Sequence, residues 1–291
     1  MNIQSLSVVV PNNGCVNNCR FCCVKMHADS YKNQLDCNLP FYDLYLKDYM
    51  ERLAFARDNG CNTVMITGDS EPQQNRQFME FFGTINKALD KPFRNIEMQT
   101  TGTRLDDGYL RFLRNHVGVK TISVSVSSFD DGENNLIIGT RGEGSFIKLA
   151  WLCGEIVKYD FNLRLSVNLL STFDKLTPEE IFAKAKELGA NQVTFRIMYA
   201  NGESCPQNDF LAKCNGDPKH TASITDYVLK NGRPLEKLEY GRMRYSVNGI
   251  SVVVDDDCMA VASGKDVVKY LILRPDCKLY SKWDDKGSII F

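Results

Sequence analysis

The sequence predicts an α/β fold, a partial (β/α)6 TIM-like barrel followed by a C-terminal antiparallel β-hairpin extension. Three observations predict it. Short apolar runs alternate with helical patterns over the first 200 residues, as they do in a parallel sheet with crossover helices. That stretch holds six strand–helix units, short of the eight that close a full barrel. Beyond it the pattern changes, and Asn248-Gly249 between two apolar runs is a type I′ hairpin signal. The expected division is a barrel over 1–200 and an extension over 201–291.

The elements follow in order. Ser5 to Val10 reads as the first strand, with a cysteine-rich loop at its C-terminal end. Pro40 to Ala56 has helical spacing and closes on Asn59-Gly60, a good C-cap. Strands are expected over Thr63 to Thr67, Asn95 to Thr100, Lys120 to Ser127, Leu163 to Leu170 and Gln192 to Met198. Helices are expected over Arg76 to Leu89, Leu105 to Arg114 and Ser145 to Lys158. A further helix opens at Thr177-Pro178-Glu179-Glu180, a capping box with Pro at N1, and ends at Gly189. After it come a loop over Asn201 to Lys219 and a helix over Thr221 to Leu229. Two hairpins finish the chain, one around Asn248-Gly249 and one joining Val267–Leu273 to Lys278–Tyr280 around Pro275-Asp276. Cys277 stands there where a turn ordinarily takes Gly.

Composition excludes several classes. With 291 residues, 43% hydrophobic and 24% charged, the chain can bury a large core. Its 35 basic and 36 acidic residues nearly cancel, so no global charge favours nucleic acid or an acidic membrane. An anionic substrate would need a local basic site. The first residues lack a charged leader, and their apolar run is only Val8 to Val10, so a cytoplasmic protein without a membrane span is expected. Eleven cysteines then read as metal ligands or free thiols, because the cytosol keeps thiols reduced.

Four of these cysteines crowd "GCVNNCRFCCVK", residues 14–25. Cys15, Cys19 and Cys22 have the spacing C-x3-C-x2-C. Structural zinc takes four ligands in paired arms, and no second CxxC or HxxxH arm follows. A closed electron-transfer cluster also wants four thiolates. Three ligands leave one cluster iron open to a substrate or cofactor. A zinc- or cluster-binding structural module that shares this spacing is the competing reading.

With Phe21, the triad resembles the C-x3-C-x-aromatic-C signature of the radical S-adenosylmethionine (SAM) enzyme superfamily. That resemblance implies a four-iron four-sulfur cluster on Cys15, Cys19 and Cys22, with SAM chelating the fourth iron and Phe21 near its adenine. It implies an oxygen-sensitive enzyme that cleaves SAM reductively to a 5′-deoxyadenosyl radical, which abstracts a substrate hydrogen. Cys23, next to a ligand, is expected to point away from the cluster. "TGDSEP", Thr67 to Pro72, is similar to the family's GxGEP form, with Ser70 in place of the second Gly. By that likeness Gly68, Asp69, Ser70 and Glu71 hold the SAM ammonium. Ser125 and Ser127 match its ribose-contacting position, Asn168 its polar residue at the barrel mouth, and Arg141 its basic residue before a helix.

The resemblance covers roughly residues 5–200 and does not select a substrate. Residues 201–291 are expected to cap the barrel over a small molecule, nucleoside- or nucleotide-like, with a peptide or protein substrate as the alternative. A flavodoxin- or ferredoxin-type reductant is the expected partner. Cys205, Cys214, Cys258 and Cys277 are enough for an auxiliary iron–sulfur cluster, though without the tight CxxC pattern such clusters use. Lys230, Arg233, Lys237, Arg242 and Arg244 form a basic run that reads as a solvated strand face, and Arg196 points either into the barrel or into its wall.

Overall fold

A computed structural model describes residues 2–27, 42–142, 144–198, 200–238, 242–255, 267–283, 285 and 287–291. Its parallel strands β1 (Asn2–Val9), β2 (Thr63–Thr67), β3 (Asn95–Thr100), β4 (Thr121–Val126), β5 (Asn162–Asn168) and β6 (Gln192–Arg196) lie side by side in chain order. These are the six strands the apolar runs predict. The sheet continues beyond both edges, through β10 (Val267–Leu273) and β11 (Leu279–Tyr280) beside β1, and through β9 (Ile250–Asp255), β8 (Met243–Val247) and β7 (Arg233–Lys237) beside β6. It remains open.

The C-terminal hairpins form as expected, with Asn248 and Gly249 both at positive φ in the β8–β9 turn. Their role in the sheet goes further than the extension predicted. β9 pairs with β6 in parallel and β10 pairs with β1 in parallel, so eight parallel strands line up in a row. The reason is physical: β1 and β6 would otherwise present unpaired backbone edges. In the second turn Cys277 takes φ 60°, the left-handed region that usually selects Gly. Its N–H reaches Arg274 O at 2.9 Å.

Alternation along the strands sorts two faces. Leu6, Val64, Ile66, Ile96, Met98, Ile122, Val124, Leu163, Leu165, Val193, Phe195 and Val252 belong to one buried apolar core. The helices α2 (Leu46–Asp58), α3 (Arg76–Ala88), α4 (Asp107–Phe112), α6 (Leu149–Lys158), α7 (Pro178–Glu187) and α9 (Pro218–Asn231) bring Leu53, Phe82, Leu110, Leu152, Phe182 and Val228 to it. The opposite face carries Ser5, Ser7, Thr63, Thr67, Glu97, Gln99, Arg164, Gln192, Thr194 and Arg196 around a cavity of about 530 Å3. TIM barrels ordinarily fill this space with branched apolar side chains. Here it is a polar lumen.

Local signals fix several helix ends. Thr177 and Glu180 form the predicted capping box of α7. Two helices depart from the sequence reading. α5 (Asp131–Ile138) falls where the sequence reading assigns no element, and its N-cap Asp130 accepts from Glu133 N–H at 2.8 Å. α6 starts at Leu149 instead of Ser145, because Asn135 of α5 pins Ile147 through both its N–H and its carbonyl at 2.7 Å. Asp131 then caps Leu149 N–H at 2.9 Å. The segment 201–219, expected as loop, contains α8 (Pro206–Cys214), whose N-cap Cys205 makes no side-chain cap. The expected helix start at Pro40, Tyr199 and Cys258 lie outside the described residues. No helix among the described residues is long and apolar enough to cross a membrane.

Candidate active site

The cysteine loop leaves the C-terminal end of β1, where the sites of such barrels gather. It ends in a short helix, α1 (Cys23–Met26). The segment after β2 fastens it. Asn12 Nδ2 donates to Ser70 Oγ at 2.6 Å, and Asn75 Nδ2 to Pro11 O at 2.7 Å. Gln74 bridges the loop, accepting from Val16 N–H at 3.0 Å and donating to Gly14 O at 3.1 Å. On the other side Asn18 N–H reaches Gly139 O at 3.0 Å and Arg20 N–H reaches Ile137 O at 3.0 Å. Gly139 caps α5 at φ 63°, and a Cβ there would lie 2.6 Å from Asn18 O.

Glu71 is the centre of this fastening. It is 6% exposed, and its carboxylate accepts from Asn17 Nδ2 at 3.3 Å, Gln73 Nε2 at 2.8 Å, Thr100 Oγ1 at 2.5 Å and Thr101 N–H at 3.1 Å. The carboxylate is thus a brace between β2, β3 and the cysteine loop. Asp69, two residues earlier, is the reverse case. Both its oxygens are buried without a hydrogen-bond partner among the described residues, and it lines the lumen. Burial pushes its carboxyl up to about 6 despite the opposing influence of Arg274.

The thiols of Cys15, Cys19 and Cys22 are free and half-buried. Burial raises all three, most strongly Cys19, where Cys22, Glu71 and Cys15 add unfavourable negative charge. Three such thiols become thiolates together only when a cationic centre binds them, so the donor set fits a metal cluster. Among the described residues no three His, Cys, Asp or Glu side chains gather tightly enough for a single metal ion. A four-iron cluster, with a separate iron for each thiolate, does not require that. Cys23 is exposed and lines the lumen.

The other predicted site residues are placed as follows. Phe21 packs beside Met26, Ile137, Leu170 and Leu211. Asn168 Nδ2 donates to both Ser125 Oγ and Ser127 Oγ at 3.0 Å, bringing the three together across β4 and β5. Ser127 is fully buried, whereas Ser125 is half-buried. Gly68 lies under Val10, whose N–H donates to Thr67 O at 2.8 Å. Arg141 is exposed, without a hydrogen-bond or ionic partner among the described residues. Among the described residues the C-terminal cysteines Cys205, Cys214 and Cys277 are not gathered: Cys205 and Cys214 stand at opposite ends of α8, about 13 Å apart at 1.5 Å per residue, and Cys277 is buried in the β10–β11 turn.

Sequence reasoning missed two parts of the site. One is α8, which covers the cysteine loop: Arg20 lies over the Phe210 ring at 5.9 Å, and Asn201 Nδ2 donates to Met26 O at 3.3 Å. The other is the charged lumen. Arg196 lines it, as does Arg244, which was expected on a solvated strand face. The alternation of Arg164, Ser166 and Asn168 with Leu163, Leu165 and Val167 was the available signal, since a parallel strand buried on both faces reads as a continuous apolar run.

An open parallel barrel with a cysteine triad braced at its C-terminal mouth defines a class of cofactor-dependent enzymes. Residues 9–148, a little under half of the chain, match the family model of the Radical SAM superfamily, and over that stretch the chain is similar to it. Among solved structures it is similar to anSMEcpe with bound AdoMet, at 14% identity over 96% of this chain and 74% of that one, TM-score 0.59. It also resembles coproporphyrinogen III oxidase from Escherichia coli (13% identity, 80% and 54%, TM-score 0.51) and methylornithine synthase (13%, 78% and 63%, TM-score 0.51). At such identities the likeness is one of fold. The chain spans 59% of the length of other anSMEcpe structures it matches. No curated protein matches it significantly by sequence.

Proposed function

We propose that Cys15, Cys19 and Cys22 hold a four-iron four-sulfur cluster, and that SAM binds beside it between the segment after β2 and the ends of β4 and β5. When bound, cluster and SAM supply one-electron chemistry that removes a hydrogen atom from the substrate. The chain's own residues do the rest. Asn17, Ser70, Glu71 and Gln74 fix the cysteine loop, α8 shields it from water, and Ser125 with Asn168 offers hydrogen bonds at the mouth. Because Glu71 is occupied as a brace, Asp69 is the carboxylate left to meet the SAM ammonium. Arg141 is placed to reach a ligand only from the rim.

The observation that carries this reading is the fastening of a three-cysteine loop over a polar lumen by the side chains of residues 70–75. A structural metal module has no use for such a lumen. The lumen volume supports a small-molecule substrate, nucleoside- or nucleotide-like, with residues 201–291 completing its wall and a flavodoxin- or ferredoxin-type protein supplying the electron. A peptide substrate is the alternative, supported by the fold likeness to anSMEcpe with bound AdoMet and Cp18Cys peptide. Anaerobic reconstitution with iron and sulfide, then SAM and dithionite, tests the enzyme. Release of 5′-deoxyadenosine that disappears in Cys19→Ala is expected; no release, or undiminished release from that variant, would overturn it.

A further inference from the structure

We infer that the lumen receives an anionic group of the substrate, a phosphate or a carboxylate, on the wall formed by β6, β9 and β8, between Arg196 and Arg244. This deepens the enzyme reading above and rests on it for the word substrate; the anion site itself rests on the lumen.

The charged side chains described around the cavity are Asp69, Glu97, Arg164, Arg196, Arg244 and Lys269. One pair is internally satisfied. Arg164 bonds Glu97 Oε2 at 2.5 Å and Gln192 Oε1 at 2.6 Å, a layer that crosses the lumen floor from β3 to β6. What remains is predominantly cationic, with Asp69 the one carboxylate among these side chains not engaged in that layer. Arg196 closes β6 and donates its Nε to Ser166 Oγ at 2.7 Å, which aims the guanidinium along the wall. Its register neighbours are Asn168 on β5 and Asp255 on β9. Arg244 reaches Glu236 at 2.9 Å with one terminal nitrogen, while its Nε is buried without a partner among the described residues.

A buried guanidinium nitrogen without an acceptor is costly unless a ligand supplies one. Two guanidinium groups on one wall offer the planar, multidentate donor set that suits phosphate and carboxylate oxygens. Asp69 lines the same lumen from the end of β2, while the two arginines line it from β6 and β8. The cavity of about 530 Å3 has the size of sites that enclose a small metabolite. An apolar or cationic substrate would leave Arg244 Nε without an acceptor among the described residues.

Trp283 lines the lumen, and the other tryptophan, Trp151, is exposed on α6. In a Trp151→Phe background, Trp283 emission therefore reports on the cavity. The reconstituted full chain is titrated with inorganic phosphate and separately with acetate, against sodium chloride at matched ionic strength. A saturable change with phosphate or acetate but not chloride is expected, the responding probe assigning the anion. Arg196→Gln and Arg244→Gln should each weaken the response at least tenfold, with Arg196→Lys retaining more of it, while far-ultraviolet circular dichroism stays unchanged. No saturable response, or equal affinity in all three variants, would overturn the anion site. Release of 5′-deoxyadenosine is measured on the same preparations. Its presence without anion binding sinks this inference alone; anion binding without it sinks the enzyme reading alone.

Discussion

The side-chain amide of Asn17 donates to the buried carboxylate of Glu71 at 3.3 Å and to Thr101 Oγ1 at 2.9 Å, while Thr103 Oγ1 donates to Asn17 Oδ1 at 3.1 Å. One residue between two cysteines thus joins the ends of β2 and β3. Asn17→Ala removes both roles and leaves buried acceptors and donors unmatched, at a cost of about 1–3 kcal/mol. The cluster-free protein should unfold several degrees lower, and the reconstituted one should lose iron faster to a chelator. An unchanged unfolding temperature would refute the brace.

Cys22 and Cys23 are adjacent but differ in surroundings. Cys22 is half-buried near Cys15 and Cys19, whereas Cys23 is exposed and begins α1. Cys22→Ser is expected to abolish the visible absorbance of the reconstituted cluster, and Cys23→Ser to keep it with about four irons per chain. Loss of the cluster in the Cys23 variant would reassign the ligands.

Gly139 combines a left-handed backbone with the close approach of Asn18 O. Gly139→Ala must strain φ and push the cysteine loop away, so a loss of more than about 1 kcal/mol is expected. Gly144, also at positive φ but with nothing within 4 Å of a Cβ, is the comparison: Gly144→Ala should cost less. Denaturant unfolding of both variants decides whether the contact or the backbone matters.

Asp69 gives a pH signature. Its folded carboxyl is raised from 3.8 to about 6 by burial, so between those values the folded chain holds a proton that the unfolded chain has released. Stability from this group is therefore present at low pH and falls as pH rises through about 4 to 6, by roughly 3 kcal/mol in the cluster-free protein. Asp69→Asn should flatten that part of the profile and raise stability at pH 7. A profile of unchanged slope in the variant would show that Asp69 is not the group responsible.

The six parallel strands and the cysteine loop were legible because each rests on local information: apolar runs, the capping box at Thr177, the Asn248-Gly249 turn, and the spacing of Cys15, Cys19 and Cys22. What escaped was set by distant partners. α5 is short, and its Asn135 and Asp131 serve the following segment as much as their own helix. α8 begins at Cys205 without a capping side chain. Glu71 reads as a ligand-binding residue in "TGDSEP", yet three of its four donors come from two other places in the chain, the cysteine loop and the end of β3, which no spacing records. Arg244 reads as a solvated charge until β9 is seen to join β6 in parallel and carry β8 round to the lumen.

The pairing of β10 with β1 has a consequence for how the molecule is made. Ser5 aligns with Tyr270 and Val8 with Leu273, so the strand leading into the cysteines gains its second neighbour only after more than 260 further residues have been synthesised. Contacts of such sequence separation form late. Until then β1 has an open flank, and the nascent cysteine loop hangs from a half-supported strand. A ribosome stalled near residue 260 would thus hold a chain whose cysteines are present but whose first strand is still an edge.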